Sequence, residues 1–413
     1  MNLGPAARRL LSTLLLYAGL HGARVCGADL PGFAPLARSI LGIDQGVYME
    51  AADGTVLLAQ AANVPVHPAS VSKIPTTLAL LRKLGPEYRF VTTFAAGGPV
   101  HDGTIDGDLV IDGGGDPYFV DENALLVAQR LNESGVRRVA GLVRSRGALM
   151  FDWQSDGAAE QLQQALSGKV STSAWVTLQS LSPALRSPPA LSFDEAPAGN
   201  PAQAAYSGAA EPLLVHRSQP LLSLIKSLND YSNNVFKPLA DAAGGAVAVQ
   251  SLGRDSVPES MRSEITLGDG AGTDPRNRLS PRAAVNLLRA LERELALSGH
   301  TLVDALPVAG VDAGTLHDRL NGAKESGRIV GKTGTFGDYG SSALIGAIPT
   351  SDQGTVYFAI LNHGVPVSEA RIRQDRFLRA VLARLNSLPW SYHPDLSPAV
   401  ARAQALLVGT NAH

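Results

Sequence analysis

Ser70 and Lys73 are two residues of complementary chemistry, placed three apart near the start of an apolar segment that spans 68–84. Residues three apart share one face of a helix, so the serine hydroxyl and the lysine amine are expected within hydrogen-bond distance. A serine needs a base to become a nucleophile, and a desolvated lysine near another cation can supply it in neutral form. The pair favours nucleophilic catalysis, although a capping serine beside a surface lysine gives the same spacing. Pro75 is expected to kink this helix or to end its first turn.

Two further segments add polar groups suited to the same chemistry. Ser232 and Asn234 follow a helical segment in the run YSNN, and Lys332-Thr333-Gly334-Thr335 lies in a strand-like run. The three motifs Ser-x-x-Lys, Ser-x-Asn and Lys-Thr-Gly are far apart along the chain, so only the fold can bring them together. In this order they are a known catalytic set for acyl transfer by serine. Gly327 and Gly331 precede Lys332 with one residue too few for a phosphate-binding loop.

The elements that must position these motifs come from both ends of the chain. A hairpin is expected at 46–60, with its turn at Asp53-Gly54, and three strands are expected at 329–335, 341–349 and 355–364. Helices are expected at 68–84, 218–230, 280–296 and 367–385 from apolar spacing, with a Ser-Pro start at 280. The expected fold class is α/β (α+β), with a five-stranded antiparallel sheet flanked by helices.

The segment 93–205 has a different pattern, with short strands, one helix at 122–134 and a Ser/Pro/Ala-rich tract. It is interpreted as a smaller inserted α/β domain. The main domain would then comprise 29–92 and 206–390, and 391–413 would form a C-terminal tail.

Composition and charge exclude several classes of function. The 413 residues carry 35 Lys and Arg against 37 Asp and Glu, so no basic excess exists to bind nucleic acid or an anionic membrane. Cys26 is the only cysteine, which excludes internal disulfides and cysteine-based metal sites. The nine histidines are scattered without a His-Glu-x-x-His motif. Neither a metal nor another cofactor is predicted.

The N-terminus has the pattern of an export signal. Arg8 and Arg9 precede an apolar stretch at 10–20, and small residues follow around Cys26. The stretch is shorter than a membrane-spanning helix requires. We therefore expect a signal peptide at 1–28, no stable transmembrane anchor, and secretion across the inner membrane to the periplasm.

With these motifs in place, the sequence resembles the class C low-molecular-mass penicillin-binding proteins, the D-alanyl-D-alanine carboxypeptidase/endopeptidase family. Further stretches between about 40 and 385 resemble that family in the same order: GDLVIDGGGDP, GVRRVAGLV, NDYSNNVFKPLAD, GDGAGTDPRNRLSPRAAVNLL and LPVAGVDAGTLHDRL. The resemblance implies a transpeptidase-like domain with an insertion between the first two motifs. It also implies peptidoglycan stem peptides as substrates and β-lactams as covalent inhibitors.

Carried over by this resemblance, Ser70 would be the acylated nucleophile and Lys73 its general base. Ser232 would relay a proton to the leaving amine, and Asn234 would hold Lys73 and the substrate amide. In the third motif, the segment Lys332-Thr333-Gly334-Thr335 would bind the substrate.

Within that third motif, Lys332 with Thr333 and Thr335 would bind the terminal carboxylate of the peptide. The backbone N–H groups of Ser70 and Thr335 would form the oxyanion hole. After Gly141 the family commonly has an acidic residue approaching the active site, where this chain has Arg144 and Arg146.

Three alternative functions use the same residues. A β-lactamase would deacylate rapidly, but no Glu-x-x-Leu-Asn motif of the class A enzymes is present. A Ser/Lys esterase would act on small esters, and a binding protein would hold cell-wall peptide or β-lactam without turnover. Within the leading hypothesis, the sequence leaves the balance between carboxypeptidase and endopeptidase activity open.

Overall fold

The structure is a computed structural model that describes residues 32–194, 206–232, 234–337 and 340–408. The helices in these ranges lie mainly around two sheets. They are α1 (Phe33–Leu41), α2 (Lys73–Leu84), α3 (Asp121–Glu133), α4 (Ala158–Leu166), α5 (Thr172–Leu181), α6 (Leu221–Tyr231), α7 (Phe236–Ala242), α8 (Gly245–Asp255), α9 (Pro281–Ala296) and α10 (Val367–Leu382).

The strands vary from two to nine residues. They are β1 (Gly46–Glu50), β2 (Val56–Gln60), β3 (Val91–Ala96), β4 (Val100–His101), β5 (Thr104–Ile105), β6 (Leu109–Gly114), β7 (Arg138–Val139), β8 (Val143–Ala148), β9 (Ser192–Phe193), β10 (Glu211–Arg217), β11 (Ile265–Thr266), β12 (Arg278–Leu279), β13 (Val330–Phe336), β14 (Ser341–Pro349), β15 (Thr355–His363) and β16 (Gln404–Leu407).

The first sheet is antiparallel and has the strand order β13-β14-β15-β1-β2. The expected five-stranded sheet fed from both ends of the chain is thus confirmed. Strands β14 and β15 are buried along almost their whole length, as expected for a sheet covered on both faces. Strand β13 lies at the edge of the sheet. Its first residues bridge to Val308, and beyond Gly331 its outer side has no strand partner among the described residues.

Helices cover the two faces of this sheet in unequal numbers. On one face, α9 packs against β1, β14 and β15, and α2 packs on α9 in an apolar core that also includes α6, α7 and strand residues such as Ile345. On the other face, α1 and α10 pack against the intervening residues such as Leu344. Helix α9 begins as expected, because the Ser280 hydroxyl accepts the Ala283 N–H and Pro281 occupies the first turn.

The segment before α2 is a tight 3-10 turn at Ala69–Ser72, and α2 begins at Lys73. Pro75 is therefore the third residue of the helix. Backbone N–H groups of a first turn have no partner within the helix, so the missing N–H of Pro75 removes no hydrogen bond. The proline is accommodated by the change from 3-10 to α geometry just before it.

A second sheet has the order β16-β10-β3-β6-β8, and the short strands β4, β5, β7 and β9 form a further small sheet. Helices α3 and α4 pack on this unit around its own apolar core. Strand β16 comes from the segment expected as a tail and pairs with β10. The domain boundaries at 92/93, 205/206 and 390/391 stay predictions.

The two arginines after Gly141 form ion pairs inside this second sheet. Arg144 Nε lies 3.4 Å from Asp108 Oδ2, and Arg146 Nη2 donates to Asp112 Oδ2 at 2.8 Å. Strand β8, which carries both arginines, runs parallel to β6. These side chains therefore join neighbouring parts of the sheet.

The expected signal peptide at 1–28, with Cys26, lies outside the described residues. Among the helices that the structure describes, none combines the length and the apolar character needed to cross a membrane.

Candidate active site

Ser70 lies in the 3-10 turn before α2, partly exposed, and two glycines allow other elements to approach it closely. A Cβ on Gly334 of β13 would lie 2.6 Å from Pro68 O and 3.1 Å from Ser70 N, and one on Gly272 would lie 2.0 Å from Ala69 O. Ala69 itself has φ +49°, a left-handed conformation that costs energy for a residue with a side chain. The serine is thus held on a strained turn against the edge strand.

Lys73 Nζ donates to Ser70 Oγ at 2.7 Å and to Ala271 O at 2.6 Å. The side chain is fully buried, and it also lies 5.6 Å from the ring centroid of Phe236. Burial lowers the pKa of Lys73 to about 7, opposed by the negative charge of Asp269. The lysine is therefore partly neutral near neutral pH, and a neutral amine can accept a proton from the serine hydroxyl.

The carbonyl of Ala271 is positioned by a loop whose structural role sequence analysis did not predict. Asp269 accepts hydrogen bonds from the N–H groups of Gly272, Thr273 and Asp274 and from Asn277 Nδ2. These bonds hold the pKa of Asp269 below its usual value although burial raises it. The run GDGAGTD carries the signal, because an acid among glycines is typical of a tight loop organised by one carboxylate.

Lys332 lies on β13 and is fully buried, with Nζ donating to Thr333 O at 3.0 Å. Burial lowers the pKa of Lys332 well below its usual range, and the charge of Lys73 lowers it further, whereas Asp230 raises it. These interactions place Lys332 near both Lys73 and the end of α6. A carboxylate bound here would stabilise the protonated form of these buried amines.

The free edge of β13 faces outward next to Ser70. The Gly331 N–H bonds to Pro307 O, outside the sheet ladder. Backbone N–H groups of every second residue in a strand point to the same side, so those of Thr333 and Thr335 point outward as that of Gly331 does. The edge can therefore pair with an extended peptide, and the Thr335 N–H is available for an oxyanion.

The two threonine hydroxyls of the third motif already have side-chain partners. Thr333 Oγ1 donates to Thr315 Oγ1 at 2.9 Å, and Thr335 Oγ1 accepts from Arg371 Nη2 at 2.7 Å. Arg371 is exposed on α10. It is a third cation at this edge, and sequence spacing alone did not connect it with the motif.

Ser232 ends α6 in a left-handed conformation with φ +57°, partly buried, and Asn234 is exposed. The loop that carries them runs from Asp230, which interacts with Lys332, to Phe236, whose ring lies near Lys73. Ser232 and Asn234 therefore belong to a loop whose flanking residues, Asp230 and Phe236, interact with the two lysines. Among the contacts of the described residues, no hydrogen bond joins either side chain to Ser70, Lys73 or Lys332.

Behind this loop lies a buried ionic cluster that sequence reasoning also missed. Lys226 Nζ lies 2.5 Å from Asp312 Oδ2 and 3.8 Å from Asp230 Oδ1. Tyr392 Oη donates to Asp312 at 2.7 Å. Burial raises the pKa of Asp230 to about 7, opposed first by Lys226. The cluster fixes the end of α6 and sets the charge that faces Lys332.

The family model for D-Ala-D-Ala carboxypeptidase 3 (S13) matches residues 37–161 and 199–384 of the chain. Carboxypeptidase DacB of Mycolicibacterium smegmatis is 27% identical over 374 residues, which cover 80% of this chain and 78% of that protein.

Solved structures share the fold at low sequence identity. The penicillin G acylated Bd3459 predatory endopeptidase from Bdellovibrio bacteriovorus, in complex with immunity protein Bd3460, has a TM-score of 0.72 and 19% identity, covering 86% of this chain and 96% of that chain. Penicillin binding protein 4 (dacB) from Haemophilus influenzae, complexed with a β-lactam, has a TM-score of 0.61 and 16% identity, covering 85% and 99%.

Proposed function

The chain belongs to the D-Ala-D-Ala carboxypeptidase 3 (S13) family, and from this premise we propose that it cleaves peptidoglycan peptides beside a D-alanine through an acyl-Ser70 intermediate. It is a serine DD-peptidase, and the resemblance to class C low-molecular-mass penicillin-binding proteins is confirmed. The assignment of the individual catalytic residues is our proposal.

One observation carries this assignment: the buried Lys73 Nζ lies 2.7 Å from Ser70 Oγ, and its pKa is lowered to about 7. Neutral Lys73 removes the proton of Ser70, and Oγ attacks the carbonyl carbon of the penultimate D-alanine. The N–H groups of Ser70 and Thr335 stabilise the oxyanion of the tetrahedral intermediate. Removing one such donor typically costs about 3 to 4 kcal/mol of transition-state stabilisation.

Collapse of the intermediate breaks the C–N bond and leaves the acyl group on Ser70. The departing amine takes a proton that Lys73 holds, relayed by Ser232, while Asn234 orients the substrate amide. Water then attacks the acyl carbonyl and transfers a proton to Lys73. The C–O bond to Ser70 breaks, Lys73 returns the proton to Ser70 Oγ, and the shortened peptide leaves. Each step uses only groups of this chain and water.

The terminal carboxylate of the peptide would bind beside Lys332, with the hydroxyls of Thr333 and Thr335 and the backbone at Gly334 completing the site. An anion bound there would stabilise the charged form of Lys332, which forms no carboxylate salt bridge in the described residues. Arg371, already bound to Thr335, is placed to add a charge-assisted hydrogen bond.

Labelling with a fluorescent penicillin tests the nucleophile. We expect Ser70→Ala to abolish labelling, because the acylated hydroxyl is removed. Ser72→Ala is a matched control two residues away, since the Ser72 hydroxyl is buried and has no hydrogen-bond partner among the described residues. Strong labelling of Ser70→Ala would show that another residue is acylated.

Release of D-alanine from a muramyl pentapeptide separates turnover from binding. A peptidase releases D-alanine repeatedly, whereas a binding protein forms a lasting adduct without release. Hydrolysis of cross-linked dimers in the same assay measures endopeptidase activity. Rapid turnover of penicillin with no D-alanine release would favour a β-lactamase.

We further propose that the protein acts in the periplasm after export. The pattern of 1–28 supports export, and stem peptides lie outside the cytoplasmic membrane. Cell fractionation of the full-length chain, compared with a chain lacking 1–28, tests this location.

A further inference from the structure

A cavity of about 620 Å³ lies where the second sheet unit meets the rest of the chain, away from Ser70, Lys73 and Lys332. Its wall comes from the segment that leads into α3, the turn around Trp153, the start of α5, the segment before α6 and the segment just before β16. A cavity of this size holds an organic molecule of amino-acid or dipeptide size.

The charge of this wall has one sign. Four carboxyl groups line it, from Asp116, Asp121, Glu122 and Asp152, and none of the described lining residues is Lys, Arg or His. Burial raises the pKa of Glu122 and of Asp152, and the charge of Asp121 raises both further. A cation in the cavity would relieve this repulsion.

Two buried side chains of the wall have polar atoms without partners. Asp116 Oδ1 accepts the Tyr118 N–H at 2.9 Å, but Oδ2 has no hydrogen-bond partner among the described residues. Gln219, on a different segment, has no partner for either atom of its side-chain amide. Both residues are only 3% exposed. Both side chains line the cavity, so a polar ligand bound there could supply the partners that they lack within the protein.

Two aromatic rings complete the wall. Tyr118 and Trp153 both line the cavity and pack edge to face, with their ring centroids 4.8 Å apart. Aromatic rings bind the alkyl part of an amine by apolar contact and its charge by cation–π attraction. Carboxylates, amide oxygen and aromatic rings together are the partners that an alkylammonium group needs.

We propose that this acidic cavity, lined by Asp116, Tyr118, Glu122, Asp152, Trp153 and Gln219, binds a small ligand with an alkylammonium group. An organic cation fits better than a metal ion. The cavity is larger than an ion requires, and no group of three His, Cys, Asp or Glu in the described part of the chain is arranged to hold a metal. The ligand binds without reacting, since no activated nucleophile lines the wall.

Calorimetric titration of the full chain with Nα-acetyl-lysinamide tests the proposal, with Nα-acetyl-norleucinamide as the matched probe that lacks the amine. We expect the lysine probe to bind at least about tenfold more tightly, because only its ammonium group can form charged hydrogen bonds with the carboxylates. Equal affinity for the two probes would overturn the proposal.

Variants locate the binding to this cavity. The double variant Glu122→Gln with Asp152→Asn should weaken binding of the lysine probe at least tenfold, and Gln219→Met should weaken it several-fold. Asp106→Asn removes an exposed carboxylate elsewhere in the same unit and should leave the affinity unchanged.

Circular dichroism and a cooperative unfolding transition identify the variants that fold. If the double variant does not fold, the single variant Asp152→Asn replaces it in the test, because the Asp152 side chain is exposed and its substitution leaves the core intact. Unchanged affinity in every folded cavity variant would place the probe elsewhere and refute the site.

Discussion

The catalytic groove, which contains Ser70, Lys73 and Lys332, and the acidic cavity each bury side chains of one charge type. The two regions differ in how these side chains are hydrogen-bonded. Lys73 and Lys332 are two cations without exposed surface, and each ammonium group donates to a backbone carbonyl. In the cavity, Asp116 is just as deeply buried, yet one of its oxygens lacks a partner. In both regions burial shifts the pKa toward the neutral form of the group.

The difference distinguishes two uses of a buried charge. In the groove, Lys73 has hydrogen-bond partners in Ser70 and Ala271, so its altered pKa serves proton transfer before any substrate arrives. In the cavity, burial shifts the pKa of Asp116, and its Oδ2 has no hydrogen-bond partner among the described residues. Lys73 and Asp116 therefore differ in their hydrogen bonds and not in the cause of their pKa shifts.

Replacing the base gives the largest effect expected in this comparison. We expect Lys73→Ala to slow acylation by penicillin about 10³-fold, within the range usual for loss of a general base. Stopped-flow or gel-based labelling measures the rate. Lys83→Ala, at an exposed lysine on the same helix, is the control and should keep the full rate. A loss of less than tenfold in Lys73→Ala would mean that another group takes the serine proton.

Removing the second cation should affect substrates according to their charge. We expect Lys332→Ala to lower kcat/KM about 10- to 100-fold for peptides with a free terminal carboxylate, because a charged hydrogen bond is lost. Neutral ester analogues should lose much less. Steady-state kinetics on both substrates measure the ratio, and equal losses would contradict the role of Lys332 in anion binding.

The acidic side of the pH–rate profile tests the lowered pKa of Lys73. Lys73 is protonated below its pKa of about 7 and cannot act as a base. The acylation rate should therefore fall about tenfold for each pH unit below 7 and level off above it. Labelling rates between pH 5 and 8 measure the profile. A flat profile down to pH 5 would show that Lys73 is neutral throughout or is not the base.

The smallest effect concerns stability and comes from the cavity. Burial raises the pKa of Asp116 to about 7, so its carboxyl destabilises the fold increasingly as the pH rises from 4 to 7. Asp116→Asn keeps the acceptor for Tyr118 and removes the charge. Its stabilising effect should be larger at pH 8 than at pH 5 by on the order of 2 kcal/mol. Thermal unfolding at the two pH values measures the change in stability caused by Asp116→Asn. An equal change at both pH values would show that another group stabilises the charged form of Asp116.

The sequence predicted the first sheet because its strands carry strong local signals. The hairpin turn at Asp53-Gly54, the three apolar strands before α10 and the Ser280 cap each act over a few residues. The pairing of Ser70 with Lys73 was predictable for the same reason, since it depends only on helical spacing. The catalytic roles of these residues, and of Ser232, Asn234 and Lys332, stay predictions.

Features that join distant segments were not predictable. Asp269 shapes the loop that brings Ala271 O to Lys73, and Arg371 reaches Thr335 from another element. Their residue types are ordinary, and only the packing of the loop and of α10 against the groove gives them a role. The acidic cavity was missed for the same reason, because its wall is assembled from five separate stretches of the chain.

Strand β16 has a consequence for how the molecule is assembled. Residues 404–407 pair with 214–217, so β16 is an edge strand of the second sheet. The ribosome synthesises β16 nearly two hundred residues after β10. Until β16 is synthesised, the unpaired backbone groups of β10 can bind any extended chain nearby. Assembly of this unit must wait for late synthesis, and a nascent chain kept unfolded for transport would avoid self-association during that interval.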